Sequence, residues 1–372
     1  MPSFSRRRIT DSLFRSAGSF ALKQLQVYSF SQFDAGAKSS VDEGQISFDG
    51  EKTAQSLAAS CYRVTFIAAQ RLDLPEYLGS TLRGAFGRAF RALACPSRMG
   101  EPCPIPSQCS YHLIFESAPP PRSDALRTHE EIPRPFVIAP EWRLAPDGHD
   151  ARLVYEPGQE LSFVLVLIGR AQEFFPHFVV ALREMDRIGR GRRVIELARI
   201  EASELCGTST RIVYDARDNI VRGTGSPLTL EDCAREPCPL GPVTIDFVTQ
   251  TRLKHEGSWV RVPDFHILFR RLLGRLSSMA RFHCGFPLDV DFKGMIDRAH
   301  DIRLVRNDTR WVNWSRYSSR QDRKMQWDGL LGAATYEGDL APFSSYLRFG
   351  QCVHVGHGAT FGLGRYMIYG TL

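Results

Sequence analysis

The stretch Tyr62-Arg-Val-Thr-Phe-Ile-Ala-Ala69, followed by Gly79-Ser-Thr-Leu-Arg-Gly-Ala-Phe-Gly-Arg-Ala-Phe-Arg-Ala-Leu-Ala-Cys95, decides the start of the fold. The first segment has the composition of a β-strand. In the second, the apolar residues between positions 82 and 93 recur at i, i+3, i+4, i+7, i+8 and i+11, the spacing of an amphipathic helix. The pattern predicts a strand and then a helix whose other face carries Arg83, Arg88 and Arg91.

The same order of elements returns further along the chain. Residues 161–168 have the pattern of a buried strand, and residues 176–187 predict a second helix with a proline in its first turn. Residues 194–200 predict a further strand, whereas the proline-rich residues 117–158 are predicted to be inserted loops. Strand–helix–strand, repeated in this way, is the ferredoxin-like pattern.

Proline and glycine turn signals mark a boundary near residue 240, after which the pattern begins again. We expect a strand at residues 243–254, a helix at 264–282, a hairpin within 302–336, a short helix near 342–348 and a last strand at 365–369. The sequence thus predicts an α+β protein with tandem ferredoxin-like (RRM-like) domains. Its predicted parts are an N-terminal extension (1–58, with one short helix at 12–25), a first domain with inserted loops (59–240) and a second domain with a glycine-rich loop (241–372).

Composition limits the class of protein. The chain has 372 residues, of which 43% are hydrophobic and 24% charged, which is ordinary for a globular protein but long for a single core. Its longest apolar run is far shorter than the ~20 residues a membrane helix needs, and Arg6-Arg-Arg8 is not followed by the apolar stretch of a signal peptide. We therefore expect a cytoplasmic protein without a membrane partner. Nine cysteines, an odd number, argue against a full disulfide framework.

A second informative stretch is His354-Val-Gly-His-Gly-Ala-Thr-Phe-Gly-Leu-Gly-Arg-Tyr366, in which four glycines lie within nine residues. Glycine tolerates positive φ and lacks a Cβ, so such a loop lets a phosphate or another backbone come very close. A nucleotide P-loop does not fit, because no Lys-Ser/Thr pair follows, and no βαβ unit follows to form a dinucleotide site. We expect this glycine loop to lead into the last strand.

Upstream of the glycine loop, basic and aromatic residues are interleaved between positions 302 and 326. Seven Arg/Lys stand there against two Asp, a local charge of 7 − 2 = +5 beside +6 for the whole chain. Arginines neutralise phosphates and aromatic rings stack on unpaired bases, so the combination suits single-stranded or hairpin RNA. The composition is equally compatible with a solvated charged hairpin whose aromatic residues face the core.

Together these segments resemble the CRISPR precursor-RNA processing endoribonucleases of the RAMP (repeat-associated mysterious protein) superfamily. The resemblance covers roughly residues 60–370 and rests on the order and spacing of many short motifs. Besides the glycine loop and the stretch ending at Cys95, these are Cys103-x5-Cys109, Tyr111, Phe115-Glu116, Pro133-Arg-Pro-Phe136, Tyr155-Glu-Pro-Gly158, Phe178-Val-Val-Ala-Leu-Arg-Glu184, Thr249-x-Thr-Arg-Leu-Lys254, Trp314-x-Arg-Tyr-Ser-Ser-Arg-Gln321 and Gly338-Asp-Leu340.

The resemblance implies tandem ferredoxin-like domains, binding of a CRISPR repeat RNA hairpin, and processing of precursor RNA into guide RNAs. It implies metal-independent cleavage at the base of the hairpin, leaving a 2′,3′-cyclic phosphate and a 5′-hydroxyl. The alternative is a cleavage-inactive RAMP subunit that binds guide RNA within a CRISPR effector complex. Other effector-complex subunits are then further expected partners.

Cleavage of RNA without a metal ion needs a base for the 2′-hydroxyl, a cation for the phosphorane charge and an acid for the 5′-oxygen. Histidine titrates near neutrality and suits the acid or base role. Of the ten histidines, those beside the long C-terminal helix and the glycine loop are best placed. The candidate catalytic set is His283, His354, His357, Tyr317 and Arg316, and a packing role remains open for each.

The predicted RNA contacts lie on the first helix, in the basic turn at residues 189–193, in the arginine-rich segment at residues 302–326 and in the glycine loop. For the basic turn, a solvated surface loop is an equal alternative to phosphate contacts. The predicted contacts are Arg83, Arg190, Arg192, Arg193, Trp314, Arg320, Gln321, Arg323, Lys324, Gly356, Gly358, Gly362, Gly364 and Arg365.

Three cysteines are spaced Cys95-x7-Cys103-x5-Cys109. Structural zinc normally takes four ligands with close-spaced pairs, and the further cysteine that many relatives carry just before Cys103 is replaced by Gly100 and Glu101. His112 is expected in a strand, as a core residue. We therefore expect thiols without a metal ion, and no cofactor.

Overall fold

The computed structural model describes residues 56–97, 101–117, 132–140, 152–189, 191–203, 210–238, 241–318 and 323–370. At residues 315–318 and 323–326 it describes the strands without their side chains. The predicted helix at residues 12–25 lies outside the described residues, as does nearly all of the N-terminal extension.

The N-terminal half is a sheet with helices on one face. Its elements are β1 (Ala58–Ala68), β2 (Leu72–Pro75), α1 (Gly79–Ala94), α2 (Ser110–Phe115), β3 (Phe136–Pro140), β4 (Arg152–Tyr155), β5 (Glu160–Ile168), a 3-10 helix (Gly169–Phe174), α3 (Phe175–Arg183), β6 (Arg187–Ile188), β7 (Arg193–Ser203), β8 (Thr210–Asp215), β9 (Ile220–Val221), β10 (Leu228–Thr229) and α4 (Leu230–Arg235). The main strands lie in the antiparallel order β3–β5–β1–β7, and Tyr62 of β1 pairs with Leu165 on one side and Ala202 on the other. With α1 and α3 as the crossovers, this is the ferredoxin-like arrangement.

The C-terminal half repeats the arrangement. Its elements are β11 (Val243–Thr251), β12 (Lys254–His255), β13 (Ser258–Trp259), α5 (Phe265–Met279), a π-helical turn (Ala280–Cys284), α6 (Phe292–Ala299), β14 (Arg303–Asn307), β15 (Arg310–Val312), β16 (Ser315–Ser318), β17 (Arg323–Gln326), β18 (Gly329–Glu337), a 3-10 turn (Ala341–Phe343), α7 (Ser344–Val353), a second 3-10 turn (Ala359–Phe361) and β19 (Tyr366–Gly370). Its main strands lie in the order β14–β18–β11–β19, again antiparallel. The α+β fold of tandem ferredoxin-like units is therefore confirmed, while the domain boundaries at residues 58 and 240 stay predictions.

Alternation along β1 divides its side chains between two cores. Tyr62, Val64 and Phe66 join the helices of their own half, and the Tyr62 ring stacks on Phe175 with the ring centroids 4.4 Å apart. Cys61, which directly precedes Tyr62 and so points to the opposite face, belongs to a cluster built mainly from the second half. Helix α7 lies against β1 and β5. The second half thus packs on the reverse face of the first sheet, and this packing fixes the place of the segments that follow α7.

Three local predictions are wrong. The region at residues 117–158, expected to be loops, contains β3 and β4, and β3 is fully buried and pairs with β5. The prediction missed β3 because the prolines around it are typical of loops. His112 lies in α2 rather than in a strand, because a helix of six residues is too short to show a helical period. Leu93, expected on the buried face of α1, is 44% exposed.

Other boundaries differ from the prediction for tertiary reasons. Helix α3 ends at Arg183, not at residue 187, because Arg187 pairs with Val194 of β7. Helix α6 was not predicted; the Asp291 side chain caps it by accepting a hydrogen bond from the Gly294 N–H. The region predicted as one hairpin, residues 302–336, holds five strands, three of them paired in the main sheet.

Candidate nucleic-acid interface

The glycine loop turns sharply and lies against the protein's own backbone. All four glycines have positive φ: Gly356 (81°), Gly358 (83°), Gly362 (88°) and Gly364 (71°). A Cβ on Gly356 would collide with the Arg252 carbonyl oxygen, and one on Gly364 with the Val355 carbonyl oxygen. The glycines are therefore required by close packing inside the fold. An RNA contact from the outer side of the loop stays a prediction.

Hydrogen bonds fix the loop between the two halves. The Thr249 hydroxyl donates to the Gly362 carbonyl (3.0 Å) and accepts from the Arg365 N–H (2.8 Å). On the other side, the Tyr77 hydroxyl, just before α1, donates to the carbonyl of Phe361. Because Tyr77 and Thr249 belong to different halves, the loop bridges them.

An aromatic cluster surrounds this bridge and holds the base of the arginine-rich hairpin β16–β17. The Trp314 ring meets the Tyr77 ring edge-on at 5.0 Å, and the Trp327 ring meets Phe361 at 4.9 Å. The main-chain N–H of Trp327 donates to the main-chain carbonyl of Trp314 (2.7 Å), and this hydrogen bond closes the hairpin. Trp314, predicted to stack on RNA, thus packs against protein. The arginine-rich segment consequently emerges beside the glycine loop.

Two arginines that follow β11 form cation–π pairs, and the first of them, Arg252, also contacts the glycine loop. The Arg252 guanidinium lies 3.9 Å from the centroid of the Trp259 ring, and Arg261 lies 3.8 Å from that of Trp311. His357 is exposed, and its ring faces that of Trp259 with 6.1 Å between ring centroids. The main-chain N–H of His357 donates to the Arg252 carbonyl (3.0 Å). The sequence prediction missed Arg252, Trp259 and Arg261 as site residues. The motif Thr249-x-Thr-Arg-Leu-Lys254 already contained the first of them.

The other two predicted catalytic histidines are buried. His283 Nε2 is 2.6 Å from the Pro133 carbonyl oxygen, and burial lowers the pKa of His283 to about 4. His354 Nδ1 is 3.1 Å from the Leu363 carbonyl oxygen, and burial, with a smaller effect of Arg365, lowers the pKa of His354 to about 3. Both rings are neutral at pH 7 and enclosed by protein. Their geometry favours a packing role and leaves His357 as the accessible member of the three.

A group of histidines that sequence reasoning did not connect lies between β12, α5 and α6. The rings of His266 and His300 stack with centroids 3.9 Å apart, and His255 approaches His266 edge-on at 5.9 Å. Burial, then the charge of His300, lowers the pKa of His266. No local pattern predicts this group, because the three residues come from separate elements.

The remaining predicted RNA contacts are dispersed over several elements. Arg192 and Arg193 are exposed at the turn between β6 and β7. Arg83, on α1, places its guanidinium 4.8 Å from the centroid of the Phe361 ring, so α1 and the glycine loop meet. Arg323 and Lys324 lie on β17, where only the main chain is described, and so do Arg316 and Tyr317 of the candidate catalytic set, on β16. Arg190, Arg320 and Gln321 lie outside the described residues.

Within the described part of the chain, no helix has the length and apolar character needed to cross a membrane.

Comparison with known families and structures agrees with this fold. Residues 245–366 match the family model of the CRISPR-associated endoribonuclease Cas6, and residues 57–225 match AF_1859_N, a model of an N-terminal domain. No curated protein matches the chain at a significant level.

Solved structures similar to this chain include Cas6 proteins and a larger complex. A partial Cas6-RT-Cas1--Cas2 complex aligns with a TM-score of 0.52 at 14% identity, over 86% of this chain and 47% of that one. The Cas6 (TTHB231) product complex, from Thermus thermophilus, aligns with a TM-score of 0.50 at 17% identity, over 84% of this chain and 100% of that one. The chain spans 47% and 29% of the first two structures it matches.

The tandem ferredoxin-like sheets, with a glycine-rich loop before the last strand, give this chain the same fold as the Cas6 (TTHB231) product complex. Residues 245–366 match the model of the Cas6 family of CRISPR-associated endoribonucleases, so this part of the chain is a Cas6-type domain. The resemblance found in the sequence is thereby confirmed.

Proposed function

We propose that this protein is an endoribonuclease that binds a CRISPR repeat RNA hairpin and processes precursor RNA into guide RNAs. It cuts at the base of the hairpin without a metal ion and leaves a 2′,3′-cyclic phosphate and a 5′-hydroxyl. The observation that carries the proposal is the Cas6 family match, which extends from β11 to β19 and so contains both the arginine-rich hairpin and the glycine loop.

The edge formed by Arg252, Trp259 and His357 supports the chemistry. The base removes the 2′-hydroxyl proton, the 2′-oxygen attacks the adjacent phosphorus, and the bond from phosphorus to the 5′-oxygen breaks as an acid protonates that oxygen. His357 is exposed and suits one of the proton-transfer roles. Lys254, which is exposed at the start of β12, supplies a cation for the phosphorane charge, whereas Arg252 is buried and holds the Trp259 ring beside His357.

RNA binding is assigned to the basic elements around the same edge. The hairpin β16–β17 carries Arg316, Arg323 and Lys324 and starts from the aromatic cluster beside the loop. Arginines along a protruding hairpin suit a helical RNA backbone, because each can neutralise a phosphate. The exposed turn with Arg192 and Arg193 lies on the other half and would contact a different part of the RNA. We also propose that the protein is cytoplasmic and that other subunits of a CRISPR effector complex are among its partners.

The test uses the purified full-length protein and its cognate repeat RNA, with EDTA or with Mg²⁺. We expect equal cleavage in both, and none with a substrate that carries 2′-deoxyribose at the nucleotide before the cut, because its nucleophile is missing. Cleavage that EDTA abolishes and Mg²⁺ restores would contradict the metal-independent mechanism. Tight binding of the hairpin with no cleavage under any condition would instead assign the protein to the alternative, a guide-RNA-binding subunit of an effector complex.

A further inference from the structure

A group of potential metal ligands lies at the end of α1, far in sequence from the C-terminal edge described above. Cys95 directly follows α1, Cys103 lies in the next loop, Cys109 immediately precedes α2, and His112 lies on α2. The three thiols therefore come together only because the chain folds back between the two helices. His112 faces the same point because it lies about one helical turn beyond Cys109.

The geometry of these four residues is close to that of a metal site. One ligand atom from each, a sulfur or a ring nitrogen, lies within 4.8 Å of all the others. Around a tetrahedral zinc ion with Zn–S bonds of about 2.3 Å, sulfur atoms lie about 3.8 Å apart. A contraction of an ångström or less would therefore close the site, which rotation of the side chains can supply.

The state of the His112 ring is an independent observation that points to a ligand. Its Nδ1 atom is buried and has no hydrogen-bond partner among the described residues. Its Nε2 atom lies 3.1 Å from a carboxylate oxygen of Glu116. A carboxylate that holds one ring nitrogen of a histidine, while the other nitrogen faces the metal, is the usual arrangement around zinc-ligating histidines.

The geometry points to a structural zinc site formed by Cys95, Cys103, Cys109 and His112. Three thiolates and one imidazole in a tetrahedral group select zinc over the hard cations Mg²⁺ and Ca²⁺, which prefer oxygen ligands. Four protein ligands leave no open position, so the ion holds structure and takes no part in cleavage. The sequence analysis placed His112 in a strand as a core residue, and so it did not count His112 as a fourth ligand beside the three thiols.

The site would fix the outer edge of the N-terminal half. It would tie the end of α1 to α2, whose Phe115 packs against Phe86 and Phe90 of α1 at ring distances of 5.6 and 5.4 Å. The same helix α1 carries Arg83 towards the glycine loop. Zinc would thus stabilise the helix that contacts the bridge between the halves.

The experiment measures zinc in the full-length protein, purified from zinc-supplemented cells, by elemental analysis. We expect about one zinc per chain in the wild-type protein and in the matched control Cys284→Ser, whose thiol lies outside the site. Cys109→Ser should lose the metal. Glu116→Gln, which changes only the positioning carboxylate, should weaken zinc affinity by about 10–100-fold.

Cobalt gives a readout that does not depend on the variants being stable. Wild-type protein stripped of metal and titrated with Co²⁺ should develop thiolate-to-cobalt absorption bands at one equivalent, and Zn²⁺ should remove them. Zinc-free protein that shows no such bands overturns the proposal. So does a mass that reveals a disulfide between two of the three cysteines in protein purified under reducing conditions.

Discussion

Replacing Gly362 by alanine tests whether the glycine loop is a packed bridge between the two halves. Its φ is +88°, and a Cβ added there would lie 2.7 Å from the Ile138 carbonyl oxygen and 2.9 Å from Ala139 Cα, both in β3. Real Cβ atoms do not approach backbone atoms this closely, so the loop or β3 must move. The sequence analysis predicted Gly362 as an RNA contact, whereas the packing predicts that a side chain at this position destabilises the fold first.

The magnitude has two parts. A non-glycine residue at positive φ costs roughly 1–2 kcal/mol, and forcing atoms into a packed site costs about 1–3 kcal/mol more. The matched control is Gly285→Ala, because Gly285 has a φ of +83° and nothing within 4 Å of an added Cβ. The control should lose only the free energy that a side chain at positive φ costs. Gly362→Ala should therefore be less stable than the control by about 1–3 kcal/mol.

Thermal unfolding without RNA measures this difference. At about 2–4 °C per kcal/mol for a domain of 150–250 residues, the midpoint of Gly362→Ala should lie roughly 2–12 °C below that of Gly285→Ala. Equal midpoints would refute the packing argument. RNA affinity, measured well below both midpoints, then tests the outer face of the loop: a loss specific to Gly362→Ala is expected if RNA lies there, and normal binding would show that the loop is not an RNA contact.

Three further predictions concern the histidines and the arginines. Burial lowers the pKa of His354 to about 3, so the free energy of unfolding is highest above pH 6.5 and falls with decreasing pH, by roughly 2 kcal/mol at pH 5. His354→Asn removes this titration and should flatten that part of a plot of thermal midpoint against pH. His357→Ala should lower the cleavage rate at least ~100-fold with RNA affinity retained, whereas His177→Ala, at another exposed histidine, should cleave normally; equal rates would remove His357 from the mechanism. Arg316→Ala or Arg320→Ala should weaken RNA binding and reduce the salt slope by about one, and unchanged slopes in both would assign the hairpin to a solvated surface.

Much of the fold was predictable because its main elements carry strong local periods. The strand at β1, the apolar stripe of α1 and the run that became β5 follow the spacing of buried strands and amphipathic helices. β3 was missed although it is fully buried, because a five-residue strand among prolines has too little length to reveal a period. The same limit explains why α2, and with it His112, was assigned to the wrong kind of element.

The sequence by itself determined the tandem ferredoxin-like order of elements, the basic and aromatic character of residues 302–326 and the need for positive φ in the glycine loop. Only the tertiary structure decided what those features contact. It set the glycines against Arg252, Val355 and β3, buried His354, left His357 exposed, and brought His112 to three cysteines. The physical reason is range: hydrophobic period and glycine conformation depend on neighbours along the chain, whereas burial and ligand geometry depend on residues that meet only when the two halves fold and pack.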